Sequence, residues 1–273
     1  MPKKKICVIL VNYQNSQLSI DCCNSLISQK IDAFELTIII VDNNSDDSEV
    51  KILRDYEQNI DCIHVVYSQK NLGYFPGMKA GQEKAYSLDE YDYMILSNND
   101  TIYEQTFLSL LITKTYPANT MVVSPDIITF DGKHQNPHFI GRISKIRKLL
   151  YHIYFSNWYL SQVINYIQIK LGASRRAIDK KGWDKEQIIY MGFGASLILT
   201  RLYMDKVRYV DDRSFLMGEE QLLMMQIEKN EGCFYYFPSL KVKHLDSATF
   251  KKMPSRFSFE CLKASYKLYK DFI

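Results

Sequence analysis

The stretch YMILSNNDT (93–101) begins as a buried strand, Tyr93-Met94-Ile95-Leu96, and stops in two amides and a carboxylate, Asn98-Asn99-Asp100. An isolated Asn-Asn-Asp reads most simply as a turn, because these side chains bend and cap a chain. Three earlier runs end in the same manner. Ile6 to Val11 runs into Asn12-Tyr13, and Leu36 to Val41 into Asp42-Asn43-Asn44-Ser45-Asp46-Asp47; Ile63 to Tyr67 leads on to Asn71-Leu72-Gly73-Tyr74. Helix-like segments separate these runs at Ser16–Ser28, about Glu49–Glu57 and Gly77–Tyr86.

Continuous apolar strands alternating with helices predict a parallel sheet covered on both faces. Such sheets bind ligands in the crevice beyond the carboxyl ends of their strands. A turn accounts for any one polar strand end but does not predict four on one edge. The first strand lacks the Gly-x-Gly-x-x-Gly of a nicotinamide site, which argues against a dehydrogenase.

The chain has 273 residues, enough for one large core or two small ones. No run approaches the ~20 apolar residues that span a bilayer, and Met1-Pro2-Lys3-Lys4-Lys5 carries no cleavage pattern of a signal peptide. The expected location is cytoplasmic. The six cysteines, Cys7, Cys22, Cys23, Cys62, Cys233 and Cys261, have no zinc spacing and read as reduced packing residues.

The net charge of +3 hides an asymmetry. Residues 132–178 contain no Asp or Glu, whereas Lys133, Arg142, Lys145, Arg147, Lys148, Lys170, Arg175 and Arg176 are all basic. The rest of the chain is therefore net acidic, and the basic character requires a local partner.

The series VILVNY (8–13), VDNNSDD (41–47), NLGY (71–74), ILSNNDT (95–101), GFGASLILTR (192–201), FLMGEEQLL (215–223) and KHLDS (243–247) resembles the family-2 inverting glycosyltransferases. The likeness is to the rhamnosyltransferase-like branch that builds bacterial surface polysaccharides such as capsule or O-antigen. The resemblance implies an α/β protein of GT-A fold: a Rossmann-like, mostly parallel central sheet flanked by helices, with a helical basic insertion and a C-terminal helix. It implies a single domain, in which residues 1–110 hold the nucleotide-sugar and 111–250 the acceptor. The insertion would span 132–185 and an amphipathic helix 251–273.

The resemblance also implies roles. Nucleotide contacts fall on Val11, Asn12, Tyr13, Asp42, Asn44, Asn71, Gly73, Asn98 and Asn99. The Tyr13 ring can stack on a pyrimidine and Asp42 can accept from the base imide. Asn98-Asn99-Asp100 is similar to the family's Asp-x-Asp motif, so Asp100 is the expected ligand of Mn2+ or Mg2+, which take oxygen ligands and bridge diphosphates. His244 can complete that metal site or touch the diphosphate. Glu220 stands in the place of the catalytic aspartate, with Glu219 before it, and a carboxylate there can take the acceptor proton. Leu222 stands where many relatives have a second aspartate. Gly194, Ala195 and Ser196 would let backbone approach the sugar closely. A helix amino terminus also favours acids, which is compatible with either role of the Glu pair.

From Arg142 to Leu171 apolar residues recur at helical spacing, with bases around them and at both ends. This reads as an amphipathic helix for an anionic membrane surface, with an acceptor-half insertion or a dimer contact as the plainer reading. Residues 251–270 add a second basic amphipathic stretch. No nucleic-acid module accompanies the charge. The implied activity moves a sugar from a UDP- or dTDP-sugar to a hydroxyl of a polyprenyl-diphosphate-linked oligosaccharide. The alternatives are a sugar-phosphate nucleotidyltransferase, which would want a Gly-rich basic loop where Asn12-Tyr13-Gln14-Asn15 stands, and a catalytically degenerate membrane-associated assembly partner.

Overall fold

The computed structural model describes residues 3–29, 33–170, 182–245 and 255–273. In its amino-terminal part, strands β1 (Lys4–Asn12), β2 (Phe34–Asp42), β3 (Ile63–Tyr67) and β4 (Tyr93–Asn98) alternate with helices α1 (Ser16–Ile27), α2 (Asp47–Asn59) and α3 (Phe75–Leu88). All four strands are parallel, in the spatial order β3-β2-β1-β4. Their pairing aligns the ends: Asn12 lies opposite Asp42, Asp42 opposite Tyr67, and Val11 opposite Asn98. Register alone thus brings four polar strand ends to one edge.

Beyond β4 the sheet becomes mixed. The chain adds β5 (Thr101–Tyr103), α4 (Phe107–Thr113), β6 (Thr120–Thr129), α5 (Lys145–Ser156), α6 (Trp158–Lys170), β7 (Gln187–Ile189), β8 (Ser196–Thr200), α7 (Arg201–Lys206), α8 (Glu219–Lys229), β9 (Cys233–His244) and α9 (Ser255–Tyr269). Strand β8 runs antiparallel to both β4 and β6, whereas β6 and β9 are parallel. The described strands therefore form one sheet, with β5 pairing at the far edge and β7 also pairing with β9.

The strands alternate their apolar side chains between the two faces, as a period of two requires. Ile6, Val8, Leu10, Ile38, Ile40 and Ile95 pack with α1, α2 and α4 through Cys22, Leu26, Leu53 and Phe107. Cys7, Ile9, Ile39, Val41, Met94 and Leu96 pack with α3, α7, α8 and α9 through Met78, Tyr203, Leu223 and Tyr266. Each such fully buried aliphatic side chain contributes about 1.5–3 kcal/mol by leaving water. The cysteines are free thiols; Cys7, Cys22 and Cys23 are fully buried, and burial pushes their thiols up.

One expectation is corrected. The helical spacing over 142–171 is two helices, α5 and α6, because Asn157 adopts an extended backbone and its side chain accepts a hydrogen bond from the Tyr159 amide at 2.7 Å. Asn157 thereby ends one helix and caps the next. Leu171, Arg175 and Arg176 of the basic segment lie outside the described residues, as do residues 246–254, which include Ser247 and the start of the expected C-terminal helix. No helix among the described residues is long and apolar enough to cross a membrane.

Candidate active site

The strand ends form a hydrogen-bonded edge. Asn12 is buried and donates from Nδ2 to Asp42 Oδ1 at 2.9 Å, while its Oδ1 accepts from Ser19 of α1 at 2.8 Å. Asp42 also accepts from the Ser45 amide at 3.0 Å. Tyr13 is 46% exposed beside this pair in sequence, which leaves its ring open to a planar ligand. Val11 is half-buried, and Asn44 is exposed with φ of +64° at the turn that follows β2.

Asn43, absent from the sequence-based site, ties β2 to the loop before α3. Its Nδ2 donates to the Gly73 carbonyl at 2.7 Å and its Oδ1 accepts from the Leu72 amide at 3.3 Å. Asn71 accepts from the Gly73 amide at 2.9 Å. Gly73 has φ of +91°, and a Cβ there would lie 1.9 Å from the Phe215 carbonyl oxygen. That oxygen accepts from the Tyr74 amide at 2.9 Å, which joins the loop before α3 to the segment leading into α8.

Asp100 and His244 meet although far apart in sequence, because β5 pairs antiparallel with β9 and the Asp100 carbonyl accepts from the Leu245 amide. Both side chains are almost completely buried, and His244 Nε2 lies 3.3 Å from Asp100 Oδ1. Gln135 presents its carbonyl oxygen to His244 Nδ1 at 2.8 Å. Each ring nitrogen of an imidazole donates or accepts according to where its protons sit. An Nε2 without a proton would present a lone pair beside a carboxylate oxygen, two ligand atoms that suit a shared cation. Asn98 stands 3.5 Å from the same Nε2.

Asp100 and His244 are the two side chains here that could hold a divalent ion. No cluster of three or more His, Cys, Asp or Glu suited to a metal occurs among the described residues. Asn99 faces away from this pair: it donates to Ser19 at 3.1 Å and to the Asn15 carbonyl at 3.4 Å, and so fixes the loop to α1.

The acid pair sits at the start of α8. Met217 and Gly218 both have positive φ, +68° and +87°, so the chain reverses sharply just before Glu219. Glu219 is buried and accepts from the Met217 amide at 2.7 Å. Burial, and then the Glu220 charge, push its carboxyl well above the usual range. Glu220 keeps partial access to solvent and accepts from the Gly194 amide at 3.1 Å. Desolvation raises its carboxyl too, against the lowering effect of backbone donors. Gln221 follows with its Oε1 buried and unpartnered, and Leu222 is fully buried in the core.

The loop 194–195 connects the two ends of the site. The Gly194 amide holds Glu220, the Gly194 carbonyl accepts from the Tyr74 hydroxyl at 3.1 Å, and the Ala195 carbonyl accepts from the Asn98 amide at 2.9 Å. A Cβ on Gly194 would come within 2.8 Å of Glu220 Oε1, so a larger residue there would push the carboxylate aside. Ser196 is different: it is fully buried, with its hydroxyl 3.0 Å from that of Tyr103. Besides Asn43, three more contributors were not among the expected site residues: Gln135, Tyr74, and Asn136, whose Oδ1 accepts from the Phe193 amide at 2.9 Å. Each acts through a contact between distant segments, and only an Asn or Gln near a His-bearing strand offered any signal.

A four-stranded parallel edge joined through the antiparallel strand β8 to a second half, with helices on both faces, matches the GT-A architecture of glycosyltransferases. The chain belongs to glycosyl transferase family 2, whose pattern matches residues 7–180. Similar solved structures include S. aureus TarS 1–349, at 13% identity and a TM-score of 0.60, covering 98% of this chain and 72% of that one. The same protein in complex with UDP gives 14% identity, a TM-score of 0.60, and coverage of 89% and 61%. GalNAc-T7 with UDP, GalNAc and Mn2+ gives 13% identity and a TM-score of 0.60, covering 89% of this chain. This chain spans 44% of the GalNAc-T7 chain. At these identities the likeness is one of fold. No curated protein matches the chain in sequence.

Proposed function

We propose that the chain transfers a sugar, with inversion, from a UDP- or dTDP-sugar to a hydroxyl of a polyprenyl-diphosphate-linked oligosaccharide. This places it in the rhamnosyltransferase-like branch that makes bacterial surface polysaccharide, working at the cytoplasmic face of the cell membrane. The carrying observation is the 194–195 loop, which ties the Asn98–Asp100 strand end to Glu220 through consecutive peptide groups. Leaving group and base are thereby held in fixed relation, as a direct displacement requires.

In this reading residues 1–110 bind the donor, with Tyr13 against the base, Asp42 accepting from its imide, and Val11, Asn44, Asn71 and Gly73 around the nucleotide. Residues 111–250 receive the acceptor. Asp100 and His244 would hold Mn2+ or Mg2+, which supplies positive charge to the departing diphosphate. Glu220 takes the proton from the acceptor hydroxyl. The hydroxyl oxygen forms its bond to the anomeric carbon from the face opposite the diphosphate, which leaves with the electrons of the broken C–O bond. Glu219, kept neutral by burial, positions the Met217 turn and avoids a second full charge beside the base.

The supporting experiment is a thermal-shift panel with UDP, dTDP, GDP and CMP, each with and without manganese. Stabilisation by UDP or dTDP that is larger with metal is the expected result. Stabilisation by GDP or CMP alone, or by none of the four, overturns the donor assignment.

A further inference from the structure

Helix α5 carries two apolar stripes. Tyr151, Tyr154 and Phe155 turn inward, and Phe155 stacks on Tyr266 of α9 with ring centroids 4.7 Å apart. The second stripe has no cover among the described residues: Ile146 is 75% exposed, Leu149 61%, Leu150 52% and Ile153 41%. At 3.6 residues per turn these four occupy an arc of about 100°. Lys145 and His152 are exposed on the next arc, beside the stripe, while Lys148 is half-buried and lies further round the helix. Helix α6 repeats the pattern, with Tyr159, Leu160, Val163, Tyr166 and Ile167 all exposed on one side and Lys170 in line with them.

Exposed apolar area on this scale needs an occupant. A second copy of the chain would meet it through the same patch, as two-fold association requires, and would bring bases against bases in a segment that contains no acid. Arg142 pairs with Glu228 and Lys133 with Asp131, so the hairpin's own charge rests on Lys145, Arg147, Lys148 and Lys170. An anionic bilayer satisfies both features, since acyl chains take the apolar arc while lysine stems lie along it and their ammonium groups reach phosphate. Tyrosines such as Tyr159 and Tyr166 suit the boundary between the two.

We infer that the α5–α6 hairpin is a docking surface for an anionic membrane, seated by the Ile146–Ile153 stripe of α5 and the Tyr159–Ile167 side of α6. The inner face of the hairpin is clamped to α9 through Phe155, Trp158 and Phe259, and by Lys263, which donates to the Ser156 carbonyl at 2.9 Å. Helix α9 in turn braces the turn before α8: Ser265 lies 2.6 Å from the Ser214 hydroxyl, and a Cβ on Gly218 would meet Ser265 at 2.7 Å. The seated hairpin thus fixes the acid-bearing corner relative to the bilayer. This inference stands apart from the transferase reading, because its test uses no nucleotide or sugar.

The test is flotation of the purified protein with vesicles of phosphatidylcholine alone and of phosphatidylcholine mixed with phosphatidylglycerol. The protein is expected to float with the mixed vesicles only, and less as salt rises. Lys145→Glu with Lys170→Glu should lower the partition by at least about tenfold, and Ile146→Ser with Leu149→Ser should do likewise. These side chains lie at the surface, so unchanged melting temperatures and far-UV dichroism accompany the expected loss. Failure to float with anionic vesicles, equal binding to both vesicle types, or full binding by folded variants overturns the inference. So does a dimer in light scattering that the same variants dissolve, since a second copy would then cover the hairpin.

Discussion

The strand-end edge around Asn12 and Asp42 and the corner around Glu219 and Glu220 are built on different terms. The edge is local. Its members follow strands whose parallel register aligns them, and its hydrogen bonds satisfy Asn12 and Asp42 within the same layer. The corner is assembled from far away: Gly194 supplies a donor, Phe215 rests against Gly73, and α9 supports the turn. An edge of that kind tolerates loss of one contact, whereas the corner stores two raised carboxyls and two left-handed residues in one turn. The first is held by local contacts and the second by contacts between distant segments.

The largest break between them is Glu220→Gln. Transfer should fall by about 10²–10⁴-fold while UDP or dTDP stabilises the variant as it does the wild type; retained turnover in a radiolabelled-sugar assay would remove Glu220 as the base. Because its carboxyl is raised, the wild-type rate should climb as pH rises through that raised value, and this limb should vanish in the variant. Next comes Gly194→Ala, which crowds Glu220 Oε1. A displacement of this order costs about 10²-fold in rate, and kcat should carry the loss with KM for the donor little changed.

Gly73→Ala sharpens the contrast from the other side. A left-handed backbone costs a residue with a Cβ about 1–3 kcal/mol, and the Phe215 carbonyl stands in the way, so chemical denaturation should detect the loss before any assay does. The smallest effect is Glu219→Gln. Burial raises the Glu219 carboxyl above its unfolded value, so the folded chain keeps a proton that the unfolded chain releases. Stability is therefore fullest below the unfolded pKa of about 4.3 and declines as pH rises toward the folded one. The glutamine variant should be more stable at neutral pH by on the order of 1–2 kcal/mol and unchanged in acid; equal melting curves across pH would contradict a neutral Glu219.

The same division separates what could be read in the sequence from what could not. Strands β1 to β4 are apolar runs with polar ends, and their alternation with helices leaves little choice of topology. Asn12, Asp42 and Asp100 fall on the edge because parallel pairing puts them there. The pairing of His244 with Asp100 rests on β5 and β9 meeting across more than half of the chain, and the contact of His244 with Gln135 joins equally distant segments; neither has a local signature. Ser196 looked like part of a small-residue loop, yet it is the first residue of β8 and turns into the core. The break at Asn157 was hidden because apolar spacing continues through it, and only the side chain's bond to the Tyr159 amide reveals a cap.

The contact between Ser214 and Ser265 has a consequence for the order of events during synthesis. Residues that brace the turn lie 51 positions further along the chain than the residue they hold. A ribosome that has just released Glu220 from its tunnel has delivered every strand of the parallel edge but none of α9. The turn that carries the acid pair therefore waits for α9 before its brace can form. A nascent chain halted between those points lacks that brace.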